Sequence, residues 1–272
     1  MSAIGNAQFE MVKERGWRRG MNNLLQGELS SWFRSSRWWK HLLMWLGIIN
    51  VMMVIMAIAT RKAAEEGSEG PPILLMYGIF GGMFVAFGVM IIMQRVIVGE
   101  KRAGTAAWVL SKPATRTAFV LSRLVINGLA IVLTSVVVPG LLVYVTLGAL
   151  TDIGWLSPLG FTAGLLMVVL HTLFWLTLVL MMGTLFDSSA GVIAVPMVLY
   201  FGLWFGSGII PGLEYVSPLM LTFSSEPETM QSLAASLMLG EPIFSWLPLI
   251  LTLVYCAIFV AVAIRRFNRQ EF

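Results

Sequence analysis

Six stretches of this chain are long and apolar enough to cross a bilayer, and they limit the fold more than any other feature of the sequence. A hydrocarbon core is about 30 Å thick, so a spanning helix needs about 20 predominantly apolar residues. The stretches are 42–60, 72–98, 124–150, 159–186, 190–210 and 243–264. Lipid offers backbone groups no partner, so each stretch must satisfy its own N–H and C=O groups, which selects helix. Strands of a membrane barrel would appear as alternating segments of about 10 residues; these runs are longer and uniformly apolar. Only 12% of the 272 residues are charged, against about 25% in a soluble domain. Those charges crowd between the apolar stretches. The expected fold is therefore an all-α integral membrane protein with six transmembrane helices over 42–264, a segment 1–41 before them and a tail 265–272 after them.

The positions of Lys and Arg predict the orientation, because cytoplasmic loops carry an excess of both. Seven precede the first span, six lie between Arg95 and Arg123, and three occupy the tail at Arg265, Arg266 and Arg269. The other two, Arg61 and Lys62, sit beside Glu65, Glu66 and Glu69. This predicts cytoplasmic N- and C-termini. The net charge of +4 is read as this topogenic bias, with no nucleic acid as partner. The single cysteine, Cys256, rules out an intrachain disulfide framework. The first 41 residues contain no apolar core of a cleavable signal peptide.

Three segments outside the spans have structure of their own. Met21, Leu24, Leu25, Leu29, Trp32 and Phe33 form one helical stripe, followed by Arg34, Arg37 and Lys40 with Trp38 and Trp39 among them. This predicts an amphipathic helix lying in the membrane plane with its rings at headgroup level, or a plain anchor ahead of the first span. Between spans two and three, residues Glu100 to Leu110 are expected to form a short helix that Pro113 ends, with Thr115 or Thr117 capping the helix beyond. Between spans five and six, Glu226-Pro227-Glu228 resembles a helix start. Met230, Leu233, Ala234, Leu237 and Met238 continue it as a stripe, and Gly240 is the expected stop. Asp187-Ser188-Ser189 alone separates spans four and five, which predicts a tight antiparallel hairpin.

Catalytic signatures are scarce. The sequence has neither a phosphate-binding G-x-x-x-x-G-K-[ST] loop nor an H-E-x-x-H zinc motif, so no catalytic residue and no metal ligand is assigned. The two histidines, His41 and His171, are too far apart in sequence to give a metal signature. Phe205-Gly206-Ser207-Gly208 resembles an intramembrane serine motif, but Phe205 stands where glycine is needed. Polar residues within the spans are few: Asn50, Asn127, His171, Gln94 and Arg95. In membranes such groups serve as interhelical hydrogen-bonding partners or mark functional sites. No chain of buried acids suits a proton relay, so any uphill transport must draw its energy from elsewhere.

Gly99-Glu100-Lys101-Arg102-Ala103-Gly104-Thr105, followed by Leu110-Ser111-Lys112-Pro113-Ala114-Thr115-Arg116, closely resembles the G-E-x-x-x-G-T … L-x-x-P-x-x-R signature of the type-2 permease family of ABC transporters. The signature lies between spans two and three in that family too. The likeness extends over nearly the whole chain from about Met21, including Tyr215-Val216-Ser217-Pro218 between spans five and six. The resemblance implies a membrane-spanning permease subunit of an ATP-driven exporter. The helix before span one would be an elbow helix. The segment from Glu100 to Leu110 would be a coupling helix that touches a separate ATPase subunit, in two copies, through Glu100, Lys101, Arg102, Gly104, Thr105 and Arg116. ATP and Mg2+ would be bound by that ATPase and no cofactor by this chain. Two permease chains, identical or related, would pair around a pathway lined by spans two and five and switch by alternating access. The setting implied is the plasma membrane of a prokaryote.

Pathway candidates under this resemblance are Phe80, Phe84 and Phe87 on span two, with Met197, Tyr200, Phe201 and Trp204 on span five. Aromatic stripes at helical spacing also simply pack helices, and that alternative stands beside the pathway reading. A second functional reading keeps the same body as a scaffold or sensor for an ATPase, without transport.

Overall fold

The computed structural model describes residues 15–68, 70, 72–224 and 231–270. Among them there is no strand. Six helices are long and apolar enough to cross a membrane: Arg37–Glu65, Ile73–Arg102, Arg116–Leu150, Pro158–Leu185, Ser189–Ser207 and Leu247–Asn268. They are called spans one to six here. Most of them run past the apolar stretches into charged flanks, because nothing in the backbone stops a helix at the lipid boundary. Span six is displaced instead. It starts at Leu247, one residue before Pro248, where proline's missing N–H is no loss. It continues through Arg265 and Arg266 to Asn268, so the first half of the expected tail is helix.

Span four is the centre of the bundle. It is 28 residues long and buried on almost every side. It packs against spans two, five and six and against the short helix Leu233–Leu239. Spans one, five and six lie outside it and expose long apolar faces, as lipid-facing helices do.

Backbones approach closely where side chains vanish. In span four, Gly160 and Gly164 face Leu233–Leu239, and a Cβ on either would stand 2.6 Å from the carbonyl oxygen of Leu237 or Ala234. In span two, a Cβ on Gly78 would meet the Thr222 carbonyl at 2.0 Å. That close fit lets the segment after Ser217 fold into the bundle, where Pro218, Leu219, Met220 and Leu221 are all buried. Small residues serve this purpose in membranes, where no hydrophobic effect drives helices together.

Spans one, two and three each widen into a π-helical segment, at Leu46–Val51, Gly78–Phe84 and Val132–Val137. In span three the cause is local. Pro139 follows at once, and its ring would clash with the carbonyl four residues earlier in a regular helix. Thr134 and Ser135 donate their hydroxyls to Ala130 O and Ile131 O at 2.7 and 2.6 Å, which partners carbonyls beside the distortion.

The stretch from 98 to 110 departs from the expected single helix. Two short helices, Val98–Arg102 and Thr105–Leu110, meet at Gly104, whose φ of 69° is left-handed. The chain turns there because glycine alone takes that conformation without strain. Thr115 caps span three as expected, accepting from Ala118 N at 3.1 Å. Span four ends at Leu185 and span five starts at Ser189, with Ser188 accepting from Gly191 N at 3.1 Å. Leu233–Leu239 is capped by Ser232 and ends at Gly240, φ 72°. The expected start at Glu226-Pro227-Glu228, and Met230 with it, lies outside the described residues.

Candidate functional site

Two places bring the sequence candidates together, at one end of the bundle and between spans two and five. The first is the end that carries the basic loops. Arg123, about two turns into span three, reaches in two directions there. It forms an ion pair with Glu28 of the N-terminal helix Met21–Phe33, and its Nη2 lies 3.0 Å from Glu100 Oε1. Asn127, one turn further on, donates to Glu28 at 2.9 Å and accepts from the Trp32 indole at 2.8 Å. The Arg123 guanidinium also sits over the Phe119 ring at 5.1 Å. Phe119 in turn stacks on Phe267 of span six at 5.3 Å. Arginine within a membrane bundle is costly unless it is paired in this way or faces a polar cavity. The i, i+4 spacing of Arg123 and Asn127 puts both on one helical face.

The neighbours of Glu100 bond elsewhere. Lys101 places its ammonium 2.6 Å from the Asp187 carboxylate and 3.2 Å from Phe186 O. Arg102 donates to Asp187 O at 2.9 Å. The hydrogen bond from Lys101, with its charge, holds the exposed Asp187 carboxyl below the ordinary aspartate value. Thr105 donates to Glu100 O at 3.2 Å across the Gly104 turn, and Arg116 donates to Asn268 O at 2.7 Å, where the C-terminal end of span six favours a cation.

Three consecutive residues thus grip different elements. Glu100 holds span three and, through Arg123, the N-terminal helix. Lys101 and Arg102 hold the hairpin between spans four and five. The surface left free is the tip: Ala103, Gly104 and Thr105 are exposed, as is Trp108, which is 64% exposed and carries Lys112 over its ring at 5.2 Å.

Among the aromatic candidates, Phe87 of span two meets Tyr200 and Phe201 of span five at 4.8 and 5.8 Å. Phe80 and Phe84 pair at 5.5 Å. Trp204 packs on Phe223 at 4.9 Å, and Met197 is half-buried against the core. The seven do not share one surface. Tyr200 is 1% exposed and lies against Trp175 of span four at 5.1 Å, so within this chain it packs helices. Phe84 and Phe201, 39% and 41% exposed, open outward from the bundle.

Sequence reasoning singled out Glu100, Lys101 and Arg102 but missed the groups they hold. Arg123 was read as one more topogenic cation and Asn127 as glue. Their spacing, set against the lone acid Glu28 in the N-terminal stripe, was the available signal.

Six helices of membrane-spanning length and composition define a multi-pass membrane protein. The chain belongs to the ABC-2 family of transporter proteins, whose model matches residues 23–272. No curated protein matches the chain. Its family is a membrane component of transporters and is not itself catalytic.

Proposed function

We propose that this chain is the permease subunit of an ATP-driven exporter. It pairs with a second permease chain, identical or related, and with two copies of an ABC ATPase that bind ATP and Mg2+. The basic end faces the cytoplasm of a prokaryotic cell, with both termini on that side. The carrying observation is the distribution of bonds from Glu100, Lys101 and Arg102. A push on the exposed tip around Gly104 is delivered at once to span three, the N-terminal helix and the span four–five hairpin. A rigid segment with several firm attachments is what alternating access needs at the face that receives force. The contact with the ATPase then falls on Ala103, Gly104, Trp108 and Lys112 more than on the inward-turned side chains. The exposed rings Phe84 and Phe201 are the pathway positions this reading favours, and they suit an amphipathic substrate.

The test is purification of the tagged chain from native membranes in mild detergent. A stoichiometric ABC ATPase should come with it, with hydrolysis that loses its dependence on the permease in Glu100→Gln and Trp108→Ala. A chain that arrives alone under several gentle conditions would sink the proposal. Ligand-stimulated hydrolysis without transport into vesicles would turn it into a sensor.

A further inference from the structure

The basic end holds a cavity of about 740 Å³ between the N-terminal helix, the start of span one, the end of span two and span three. Its size is that of a small-molecule site, and its lining is divided. Arg37, Lys40 and Arg95 contribute cations, and among the described residues none of the three forms an ion pair. Glu28 and Glu100 also line it, but both are held by Arg123. Arg123 itself borders the space, and its buried Nε has no partner. One guanidinium against two carboxylates leaves that trio negative by one, but four cations face two acids in the whole lining, so its net charge is +2. Met44, Ile92 and Val96 supply an apolar wall. That wall runs into the exposed apolar face of span one at Leu43 and Met44. Trp38 and Trp39, both exposed, lie in sequence between the lining residues Arg37 and Lys40 and mark the headgroup level.

We infer that this cavity binds the phosphate headgroup of an anionic glycerophospholipid, with an acyl chain lying along span one. Three cations without an ion-pair partner, in a lining of net positive charge, call for a phosphate. The apolar wall opening toward lipid selects a lipid as its source over a free ion. Basic pockets between transmembrane helices bind anionic headgroups by these means. The inference needs only the membrane fold and stands apart from the transport reading. A headgroup here would touch the N-terminal helix and the 98–110 segment together, through cavity walls that both provide.

The experiment is lipid retention by the detergent-purified chain, read by native mass spectrometry with phosphatidylglycerol and phosphatidylcholine of matched acyl chains. A thermal-shift series uses the same lipids and inorganic phosphate. The wild type should retain phosphatidylglycerol preferentially and gain thermal stability from it. Arg37→Gln/Lys40→Gln/Arg95→Gln should lose that preference by tenfold or more, at about fivefold per cation. Arg265→Gln/Arg266→Gln, which removes two cations from the same end but not from the cavity, should keep it. Equal loss in both variants means a diffuse electrostatic attraction and overturns the site. So does equal retention of phosphatidylcholine. Stabilisation by millimolar inorganic phosphate as large as by the lipid would assign the cavity to a free anion and overturn the lipid. If the triple variant fails to fold, Arg95→Gln alone decides. A several-fold drop in phosphatidylglycerol retention supports the inference, and unchanged retention refutes it.

Discussion

Arg123 is the residue on which the basic end depends most. Its side chain is 16% exposed, between two carboxylates that are 11% and 26% exposed. Removing the cation leaves two acids facing each other out of water, and breaking one side of a buried pair typically costs about 3 kcal/mol or more. Arg123→Gln should therefore lower thermal stability in detergent clearly. Adding Glu28→Gln to it should recover part of the loss, since one stranded charge is gone; strictly additive losses would show that the two side chains are not coupled. Gly104 makes a different claim. A Cβ there would meet nothing within 4 Å, so within this chain only the left-handed backbone requires glycine. Gly104→Ala should cost about 1 kcal/mol from that conformation, and Gly104→Asn less, because asparagine tolerates it better. Hydrolysis by a bound ATPase separates the two reasons for glycine. If Asn behaves like wild type, conformation is the requirement. If Asn and Ala fail alike, a partner approaches too closely for any Cβ.

At the scale of elements, the spans could be read from the sequence because one physical quantity, the thickness of hydrocarbon, decides them. What could not be read depends on contacts between distant segments. The break at Gly104 looks like any glycine in a helical window until the chain is seen to fold back on Glu100. The displacement of span six reflects where Pro248 is comfortable, and apolar length alone does not register that. The pathway stripe on span five splits into the buried Tyr200 and the exposed Phe201 because span four lies against only one side of it. Gly160 and Gly164 show the same dependence. Their value becomes visible only once Leu233–Leu239 is found lying across them. Gly160→Ala should push that helix off its carbonyl contact and cost about 1–3 kcal/mol as an overpacked site. Gly202→Ala, with nothing within 4 Å, should be tolerated in the same thermal assay. The clasp between the 98–102 helix and the span four–five hairpin should be sensitive to acid. The Asp187 carboxyl sits below its ordinary value in the folded chain. Its contribution is therefore complete above the ordinary aspartate pKa and fades as pH falls through the folded value. The stability difference between wild type and Asp187→Asn should be small, because the carboxylate is exposed. It should be largest near neutrality and vanish at acid pH; a difference that grew toward acid would reverse the assignment.

For the whole molecule, the arrangement of charge makes the proposed orientation testable without knowing the substrate. Sixteen of the eighteen Lys and Arg residues lie before Leu42, from Arg95 to Arg123, or after Ile264. In the structure, the described parts of these regions join at one end. Arg123 bonds Glu28 across 95 residues of chain, and Arg116 reaches Asn268 beside the tail. An orientation error could not therefore be local. The three basic segments share one side of the membrane or the fold is wrong. The opposite end carries Asp152, Gly154 and Glu241 in turns without a basic neighbour. Insertion follows the excess of cations near the spans, so the basic end should stay inside. A cysteine-free background is available through Cys256→Ser, the chain having no other thiol. In that background, Ser111→Cys should react with a membrane-impermeant maleimide only after the cells are opened, since Ser111 is exposed on the 98–115 loop. Asp152→Cys, exposed between spans three and four, should react in intact cells. Labelling of both positions from the same side would break the six-span count itself, because a single crossing, span three, separates Ser111 from the turn after Leu150. Labelling from opposite sides but with Ser111 outside would keep the fold and invert the protein. It would then place the exposed Gly104 tip beyond the reach of any cytoplasmic ATPase.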